Sequence, residues 1–261
     1  MNRQTLSFVA LLLLLVPISA RAQFGPPQPA GPPKPPRESA PIDLTGYWVS
    51  VVTEDWRWRM VTPLKGDAAS VPITPAARVL IDAWNPARDE AAGLQCKAYG
   101  APAIMRVSGR LHISWQDDNT LRIDADAGQQ TRLFHFGTPP RASATSWQGV
   151  STARWEGPLS SGFPGIPFLQ GQRLGARSRS LEVETVQLRA GYLRKNGVPY
   201  SEKTALKEYY DLFSEPAGDT WFMVTTVVED PVYLATPFVT TSHFKKQPDG
   251  SGWHPEPCTA R

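Results

Sequence analysis

Short β-strand patterns recur along most of the chain and constrain its fold more than any other feature. Runs of alternating apolar and polar residues, rich in β-branched and aromatic side chains, are separated by glycine, proline, asparagine and aspartate. This spacing is typical of all-β domains. The predicted strands are residues 46–53, 110–115, 120–126, 131–136, 145–156, 181–189, 205–214, 220–229 and 239–246.

Residues 56–60 predict a further strand, because large apolar residues alternate there with arginines. Trp56 and Trp58 fall on one face, and Arg57 and Arg59 fall on the other. Tryptophan is usually buried, which favours an inward tryptophan face and solvated arginines. In the opposite orientation the two guanidinium groups would clamp a carboxylate. All four residues are therefore candidate ligand-binding residues.

One short helical segment interrupts the strands. Thr74 predicts an N-cap, Pro75 suits the first turn, and residues 76–84 place apolar side chains at helical spacing. Pro86 ends this helix, and residues 87–93 predict a second short turn.

About ten short strands with mostly local connections predict one all-β domain. We expect an antiparallel up-and-down, lipocalin-like barrel of about eight to ten strands, because closure removes the edges that an open sheet of this size would expose. Such a barrel can enclose one small ligand. A two-sheet sandwich is the alternative arrangement of the same strands.

The amino-terminal residues predict export. Arg3 precedes an apolar run at 6–16, and Ala20 and Ala22 form the small-residue pattern that signal peptidase reads, so residues 1–22 are interpreted as a signal peptide. The alternative is a membrane anchor, but the apolar run is shorter than the roughly 20 residues that span a bilayer.

The remaining chain divides into a spacer and one domain. Residues 23–42 are proline-rich, which predicts a disordered spacer of extended polyproline conformation. Residues 43–261 have the size of a single β-barrel domain. With the signal peptide, this organisation predicts a secreted or periplasmic protein that has no integral membrane segment after cleavage.

Cys96 and Cys258 are the only cysteines of the chain. In an oxidising compartment an even pair favours a disulfide, which would tie the carboxyl-terminal tail to the segment after the predicted helix. A metal site is the alternative, but the spacing offers no C-x-x-C partner. We predict no cofactor and no metal.

Net charge excludes one class of partner. The chain has 27 basic and 24 acidic residues, and removal of residues 1–22 takes away Arg3 and Arg21 and leaves a net charge of about +1. A nucleic-acid-binding domain normally carries a clustered basic face. We therefore expect no nucleic-acid partner.

Four titratable residues are candidate catalytic groups: His112, His135, Asp124 and Glu202. The first three lie on neighbouring predicted strands, where strand pairing could bring them to one face as a general base or a metal site. The alternative is an exposed polar face with ordinary cross-strand pairs. Glu202 lies in the predicted loop 191–202.

The leading functional hypothesis is the binding of a small, largely apolar molecule inside the barrel. Ligand pockets are built mainly from aromatic and apolar side chains with few polar groups. The residues that would supply such a lining are Trp48, Trp56, Trp58, Trp115, Phe134 and Trp221, with Tyr192 and Tyr200 as hydrogen-bonding candidates. The alternatives are an acid–base enzyme (a lyase, isomerase or hydrolase) and a structural envelope or interaction protein.

Several fragments together resemble a broad, functionally uncharacterised group of exported β-rich bacterial proteins. The fragments are CKAYGAP at 96–102, WEG at 155–157, LEVET at 181–185, GVPYSE at 197–202, EDPVY at 229–233 and PFVT at 237–240, followed by Cys258. LTGYW at 44–48 is also similar to the start of lipocalin barrels. The resemblance implies the fold and export and no particular reaction. Residues 158–180 are an insertion relative to the group, within which 158–175 predict a long loop.

Overall fold

The computed structural model describes residues 34–141, 143–156, 180–216 and 218–261. The predicted signal peptide, residues 23–33 of the predicted spacer and the predicted loop 158–175 lie outside the described residues.

The end of the predicted spacer lies against the folded domain. The indole of Trp155 donates a hydrogen bond to the carbonyl of Pro36 at 2.9 Å. The amide of Arg37 donates to the carbonyl of Asp118 at 3.2 Å. Contacts with the domain therefore begin before residue 43.

The strands of the described residues form one closed barrel and one small hairpin. In chain order they are β1 (Gly46–Val51), β2 (Arg110–Asp117), β3 (Thr120–Ala125), β4 (Gln130–Phe136), β5 (Val150–Trp155), β6 (Ser180–Val186), β7 (Gly191–Tyr192), β8 (Pro199–Tyr200), β9 (Ala205–Ser214), β10 (Thr220–Glu229) and β11 (Phe238–Gln247). The barrel order is β1-β11-β10-β9-β6-β5-β4-β3-β2, and β7 pairs with β8. The predicted all-β barrel of eight to ten strands is confirmed.

The barrel is mixed rather than wholly antiparallel. β1 closes the ring by pairing with both β2 and β11, and the neighbouring barrel strands are antiparallel except β4 and β5, which are parallel. A parallel pair requires the chain to cross back to its starting end, and the connection 137–149 is long enough to do so. The predicted strand 145–156 is therefore too long, since its first residues belong to this crossover, and the purely up-and-down topology is wrong at this pair.

The helical content is larger than the single predicted segment. The helices are α1 (Trp56–Arg59), α2 (Pro75–Ala83), α3 (Pro86–Ala91), a 3₁₀ helix η1 (Gln95–Tyr99) and α4 (Ala101–Ile104). α2 begins as predicted, because the hydroxyl of Thr74 accepts a hydrogen bond from the amide of Ala77 at 3.3 Å.

The predicted strand at 56–60 is wrong. Asp55 adopts a left-handed conformation (φ 52°), and its carbonyl accepts hydrogen bonds from the amides of Trp58 and Arg59, so the chain turns into α1. The expected burial is reversed at two of the four residues, since Trp56 is 67% exposed and Arg59 is buried, whereas Arg57 is exposed as expected. A five-residue alternation is too short to distinguish a strand from one helical turn.

Aromatic side chains fill the interior of the barrel. Trp48 and Phe222 pack edge to face at 4.8 Å, Phe222 stacks on Phe244 at 4.7 Å, and Phe134 meets Tyr210 at 5.6 Å. All five are fully buried. The space in which the sequence predicts an apolar ligand is thus occupied by the protein's own side chains.

One ion pair is buried in this interior. Arg132 of β4 donates two hydrogen bonds to the carboxylate of Glu208 on β9, at 2.9 and 2.6 Å, and its side chain is 2% exposed. Burial opposes the charged form of Arg132, but Glu208 outweighs it and raises the pKa of the guanidinium. Thr185 and Tyr210 make further hydrogen bonds with the pair, whereas Nε of Arg132 has no acceptor among the described residues.

A helical layer closes one end of the barrel. We call this layer the cap and define it as residues 55–107 together with the hairpin β7–β8. Apolar residues of the cap, such as Ile81 and Tyr200, pack against the ends of β9, β10 and β11. Cys96 and Cys258 form the predicted disulfide, which is confirmed and which joins the cap to the carboxyl-terminal tail.

The carboxylate of Asp230 joins two of the sequence fragments singled out above. It accepts hydrogen bonds from the amide and hydroxyl of Ser201, from the hydroxyl of Thr204 at 2.8 Å and from the amides of Val232 and Tyr233 at 2.7 and 3.1 Å. Burial opposes its ionisation, but these hydrogen bonds outweigh burial and lower the pKa of Asp230 below its ordinary value. Its role is to hold the turn after β10 against the turn before β9.

We expect Asp230→Ala to lower the free energy of unfolding by about 3 kcal/mol, because several buried donors lose a charged acceptor. A carboxyl whose folded pKa is lowered contributes stability above its unfolded pKa and loses it as pH falls through the folded value. The penalty measured by urea unfolding should therefore shrink on acidification toward pH 3. Asp249→Ala is the matched control, since Asp249 is exposed and its carboxylate accepts hydrogen bonds from Ser251 within a surface loop. An equal loss in both variants, or a pH-independent loss in Asp230→Ala, would contradict this role.

Candidate functional site

A cavity of about 300 Å³ lies within the cap, between α2, α3, η1 and the hairpin β7–β8. Most of its wall is aromatic or aliphatic, with Trp84, Tyr192 and Tyr233 among the lining side chains. Such composition and volume match the smaller ligand pockets of proteins, which begin at about 300 Å³. We call it the cap cavity.

Three polar side chains form a connected group in the wall of the cap cavity. The hydroxyl of Tyr192 donates to Asp89 at 2.8 Å, and the ammonium group of Lys97 donates to the other oxygen of Asp89 at 2.8 Å. Lys97 also lies 3.4 Å from the Tyr192 hydroxyl. Asp89 is buried, so it holds its two partners in fixed positions.

Local sequence places each member of this group. Asn85 caps α3 by accepting from the amide of Ala87 at 3.1 Å, and this starts the helix so that Asp89 follows in its first turn. Lys97 follows Cys96, whose disulfide fixes η1. Tyr192 lies in β7 opposite Pro199.

The group of Asp89, Lys97 and Tyr192 is better suited to hold hydrogen-bond donors in position than to remove protons from a ligand. Burial and the hydrogen bond to Asp89 raise the pKa of Tyr192 above its ordinary value, so the phenol stays protonated near neutral pH. The Asp89 carboxylate already accepts from Lys97 and Tyr192. The group can therefore donate hydrogen bonds and hold the charge of Lys97 in a fixed position.

Two more residues of the cavity wall carry buried donors without an acceptor. The Nε1 of Trp84 and the hydroxyl of Tyr200 make no hydrogen bond to any described residue. Burial alone raises the pKa of Tyr200, which keeps the hydroxyl protonated. Gly100 and Gly191 pack directly on this hydroxyl, where a Cβ atom at either position would collide with it.

Only part of the predicted ligand-binding set reaches the cap cavity. Tyr192 and Tyr200 line it, whereas Trp58 and Arg59 line a separate cleft in the cap. Trp56 and Arg57 are exposed on α1.

Trp115 belongs to an aromatic cluster in the barrel. Its ring lies 5.6 Å from Phe136 and 6.4 Å from Trp155. Trp115 therefore packs against the core of the barrel and does not line the cap cavity.

His112 and Asp124 share an open groove of about 370 Å³ on the outer face of the barrel. They are direct cross-strand partners, and His112 stacks on Tyr47 at 4.3 Å. Burial opposes ionisation of Asp124, but hydrogen bonds from Arg122 and Thr131 lower its pKa. Its carboxylate is therefore ionised, engaged and weakly basic.

The other two candidate catalytic residues lie apart from this groove. His135 pairs with Thr120, four residues along β3 from Asp124, and burial lowers its pKa, so it is neutral at pH 7. Glu202 is exposed after β8 and lines neither the groove nor the cap cavity. The four residues do not share one cleft, which gives no geometric support to acid–base chemistry by them together.

Sequence reasoning missed Trp84, Asp89 and Lys97 of the cap cavity. Only local sequence features point to two of these residues. Lys97 lies in the CKAYGAP fragment, and Asp89 follows an Asn-Pro helix start. No spacing rule connects either residue to Tyr192, because the disulfide and the cap packing bring them together.

Comparisons with protein-family models, with curated proteins and with solved structures find no match. Among the described residues, no cluster of three or more histidine, cysteine, aspartate or glutamate side chains could hold a metal ion. No helix in the described part of the chain is both long and apolar enough to cross a membrane.

Proposed function

We propose that the protein binds a small, largely apolar molecule that carries a hydrogen-bond acceptor, and that it does so in the cap cavity. The observation that carries this proposal is a largely apolar cavity of about 300 Å³ whose wall includes Trp84 and Tyr200, and each of these residues has a buried donor without an acceptor among the described residues. Buried donors are normally satisfied, so a ligand oxygen is the acceptor that suits them. A carbonyl or ether oxygen on an apolar body has this chemistry.

Lys97 and Tyr192 add to the preference of the cavity for a ligand with hydrogen-bond acceptors. Lys97 has three donors, of which one is directed to Asp89, and the ammonium group lies 5.1 Å from the centre of the Tyr192 ring. The cavity wall therefore offers more donors than acceptors. A ligand with several donors of its own would be disfavoured, because these would lose their hydrogen bonds to water without replacement.

The ligand site proposed here lies in the cap and not in the barrel interior. Trp48 and Phe134, which the sequence assigned to a cavity lining, pack against other barrel side chains and are fully buried. The barrel acts as a rigid support for the cap, through contacts of Tyr200 and Ile81 with the ends of its strands.

We further propose that the protein works outside the cytoplasm, in the periplasm or as a secreted protein. The support is the amino-terminal pattern of the sequence together with the Cys96–Cys258 disulfide, since such bonds persist in oxidising compartments. The resemblance to exported bacterial proteins agrees with this location.

Native mass spectrometry of protein exported from its own host tests ligand binding directly. Spectra under gentle conditions should contain an added mass that is lost on denaturation. Acetophenone, an apolar ring with one carbonyl oxygen, serves as a defined probe by ligand-observed NMR. Absence of both a co-purified molecule and acetophenone binding would overturn the proposal.

The variant Tyr200→Phe separates binding from stability. Because the hydroxyl has no partner among the described residues, its removal should change the free energy of unfolding by less than about 1 kcal/mol. The affinity for acetophenone should fall about tenfold, while that for ethylbenzene, which lacks the carbonyl, should not change. Tyr209→Phe, outside the cavity wall, is the control for both measurements. A Tyr200→Phe protein that binds acetophenone normally would remove the hydroxyl from the site.

A further inference from the structure

Three buried arginines converge on a second, smaller cleft of the cap. Arg59 at the end of α1, Arg106 after α4 and Arg194 between β7 and β8 all line a cleft of about 60 Å³. Their exposed fractions are 9%, 6% and 4%. Arginine is almost never buried to this extent without partners for its charge. We call this the arginine cleft.

Each guanidinium group leaves one buried nitrogen without an acceptor in the described chain. These nitrogens are Nη2 of Arg59, Nη1 of Arg106 and Nε of Arg194. All three nitrogens belong to permanently charged side chains that line the same cleft, which distinguishes them from scattered packing defects.

Most of the remaining nitrogens are engaged, which holds the three side chains in place. Arg59 pairs with Glu54 at 2.5 Å, and Arg106 pairs with Asp55 at 2.8 Å. Arg194 donates only to neutral groups, the carbonyl of Ala69 and the hydroxyl of Ser70. The cleft is thus a preorganised set of donors.

The local charge balance is positive. Three guanidinium groups face two directly paired carboxylates, and Lys195 adds a positive charge to the cleft wall. Burial and then repulsion from the neighbouring Arg106 lower the pKa of Arg194 to about 10, and the attraction of Asp55 and Asp67 offsets this only in part. A bound anion would relieve that repulsion.

Size and lining indicate the kind of anion. The ring of Trp58 lies under the guanidinium of Arg194 at 4.8 Å, and aliphatic side chains such as Val107 and Leu193 form the rest of the wall. The cleft suits a planar group with a short carbon chain, and it is far below the volume of a drug-sized pocket. Guanidinium forks match a carboxylate in shape and charge.

We infer that the arginine cleft binds the carboxylate group of a short aliphatic acid. This site is separate from the cap cavity, since Arg59, Arg106 and Arg194 do not line that cavity. The sequence anticipates a carboxylate clamp only at Arg57 and Arg59, and the structure replaces the exposed Arg57 with Arg106 and Arg194.

Titration of the intact protein with sodium propionate tests the inference by NMR of the arginine side-chain N–H groups. The Nε–H signal of Arg194 should move downfield and saturate, with sodium chloride at equal ionic strength and neutral propionamide as controls. An Nε–H signal that does not move at about 50 mM propionate, far above a millimolar dissociation constant, would overturn the inference. Inorganic phosphate that binds as tightly as propionate would overturn the assignment to a carboxylate.

Isothermal titration calorimetry of variants tests propionate binding independently. Arg194→Gln should weaken propionate binding at least about tenfold. Arg57→Gln is the matched control in α1, because Arg57 is exposed and does not line the cleft, and the affinity of this variant for propionate should stay within about twofold. Equal affinities in wild type and Arg194→Gln would contradict the site, and acetophenone binding should be unchanged in both variants.

Discussion

Replacement of Glu208 by glutamine is expected to lower the free energy of unfolding by about 3–5 kcal/mol, the largest effect of any single substitution proposed here. The guanidinium of Arg132 would keep its charge inside the barrel without a counter-ion, and both hydrogen bonds of 2.9 and 2.6 Å to the carboxylate would be weakened or lost. Chemical denaturation at neutral pH measures the loss.

The double variant Arg132→Met/Glu208→Leu is the comparison that tests whether the unpaired buried charge causes the loss of stability. Replacement of both partners by apolar side chains removes the buried charge altogether, and such exchanges are often neutral or stabilising. We expect the double variant to be more stable than Glu208→Gln. Glu184→Gln, which breaks the exposed pair of Glu184 with Lys207, is the surface control and should change stability little. A small loss in Glu208→Gln would show that the barrel interior admits water to Arg132.

Removal of the disulfide is the second large effect. Cys96 and Cys258 are 162 residues apart, and the chain-entropy model gives about 5 kcal/mol for closing a loop of this length. We expect Cys96→Ala/Cys258→Ala to lose about 2–5 kcal/mol in urea unfolding, because the tail is then free in the unfolded chain.

Reductant provides the control for this variant. Wild-type protein unfolded in the presence of dithiothreitol should match the double variant, whereas the double variant should not respond to reductant. Since η1 also carries Lys97, loss of the disulfide should weaken acetophenone binding in the cap cavity as well. Equal unfolding midpoints for oxidised wild type and the double variant would contradict a stabilising disulfide.

The barrel could be predicted from the sequence because its strands are six to ten residues long and most of them alternate between buried and exposed side chains. On β4, Arg132 stands two residues from Phe134, so the same alternation already places it on the inward face. Glu208 has the same relation to Tyr210 on β9. The periodicity therefore places both partners of the buried ion pair inside the barrel. The general preference of charged side chains for solvent argues against that interpretation of the pattern.

The rest of the fold depends on contacts that periodicity does not encode. The Trp56–Arg59 segment becomes a helix because Asp55 turns the chain, and nothing in five alternating residues reveals that turn. The parallel pairing of β4 with β5 depends on the path of the crossover 137–149. Both features follow from tertiary packing rather than from local preference.

The candidate sites could likewise be predicted from the sequence only in part. Tyr192 and Tyr200 could be named from their loop, but their shared cavity requires α3 and η1, which are distant in sequence. The arginine cleft brings together Arg59, Arg106 and Arg194 from three separate segments of the cap. A single sequence does not specify such convergence.

The pairing of β1 with β11 sets the order in which the molecule can be completed. Trp48 lies opposite Lys246, so the ring joins the first barrel strand to the last. A ribosome delivers β11 only after every other strand, and until then β1 and β10 each present an open edge. Cys258 emerges later still. The ring therefore closes only once β11 is available, and contacts of such long sequence separation favour slow folding, so the open edges need protection from edge-to-edge association until then.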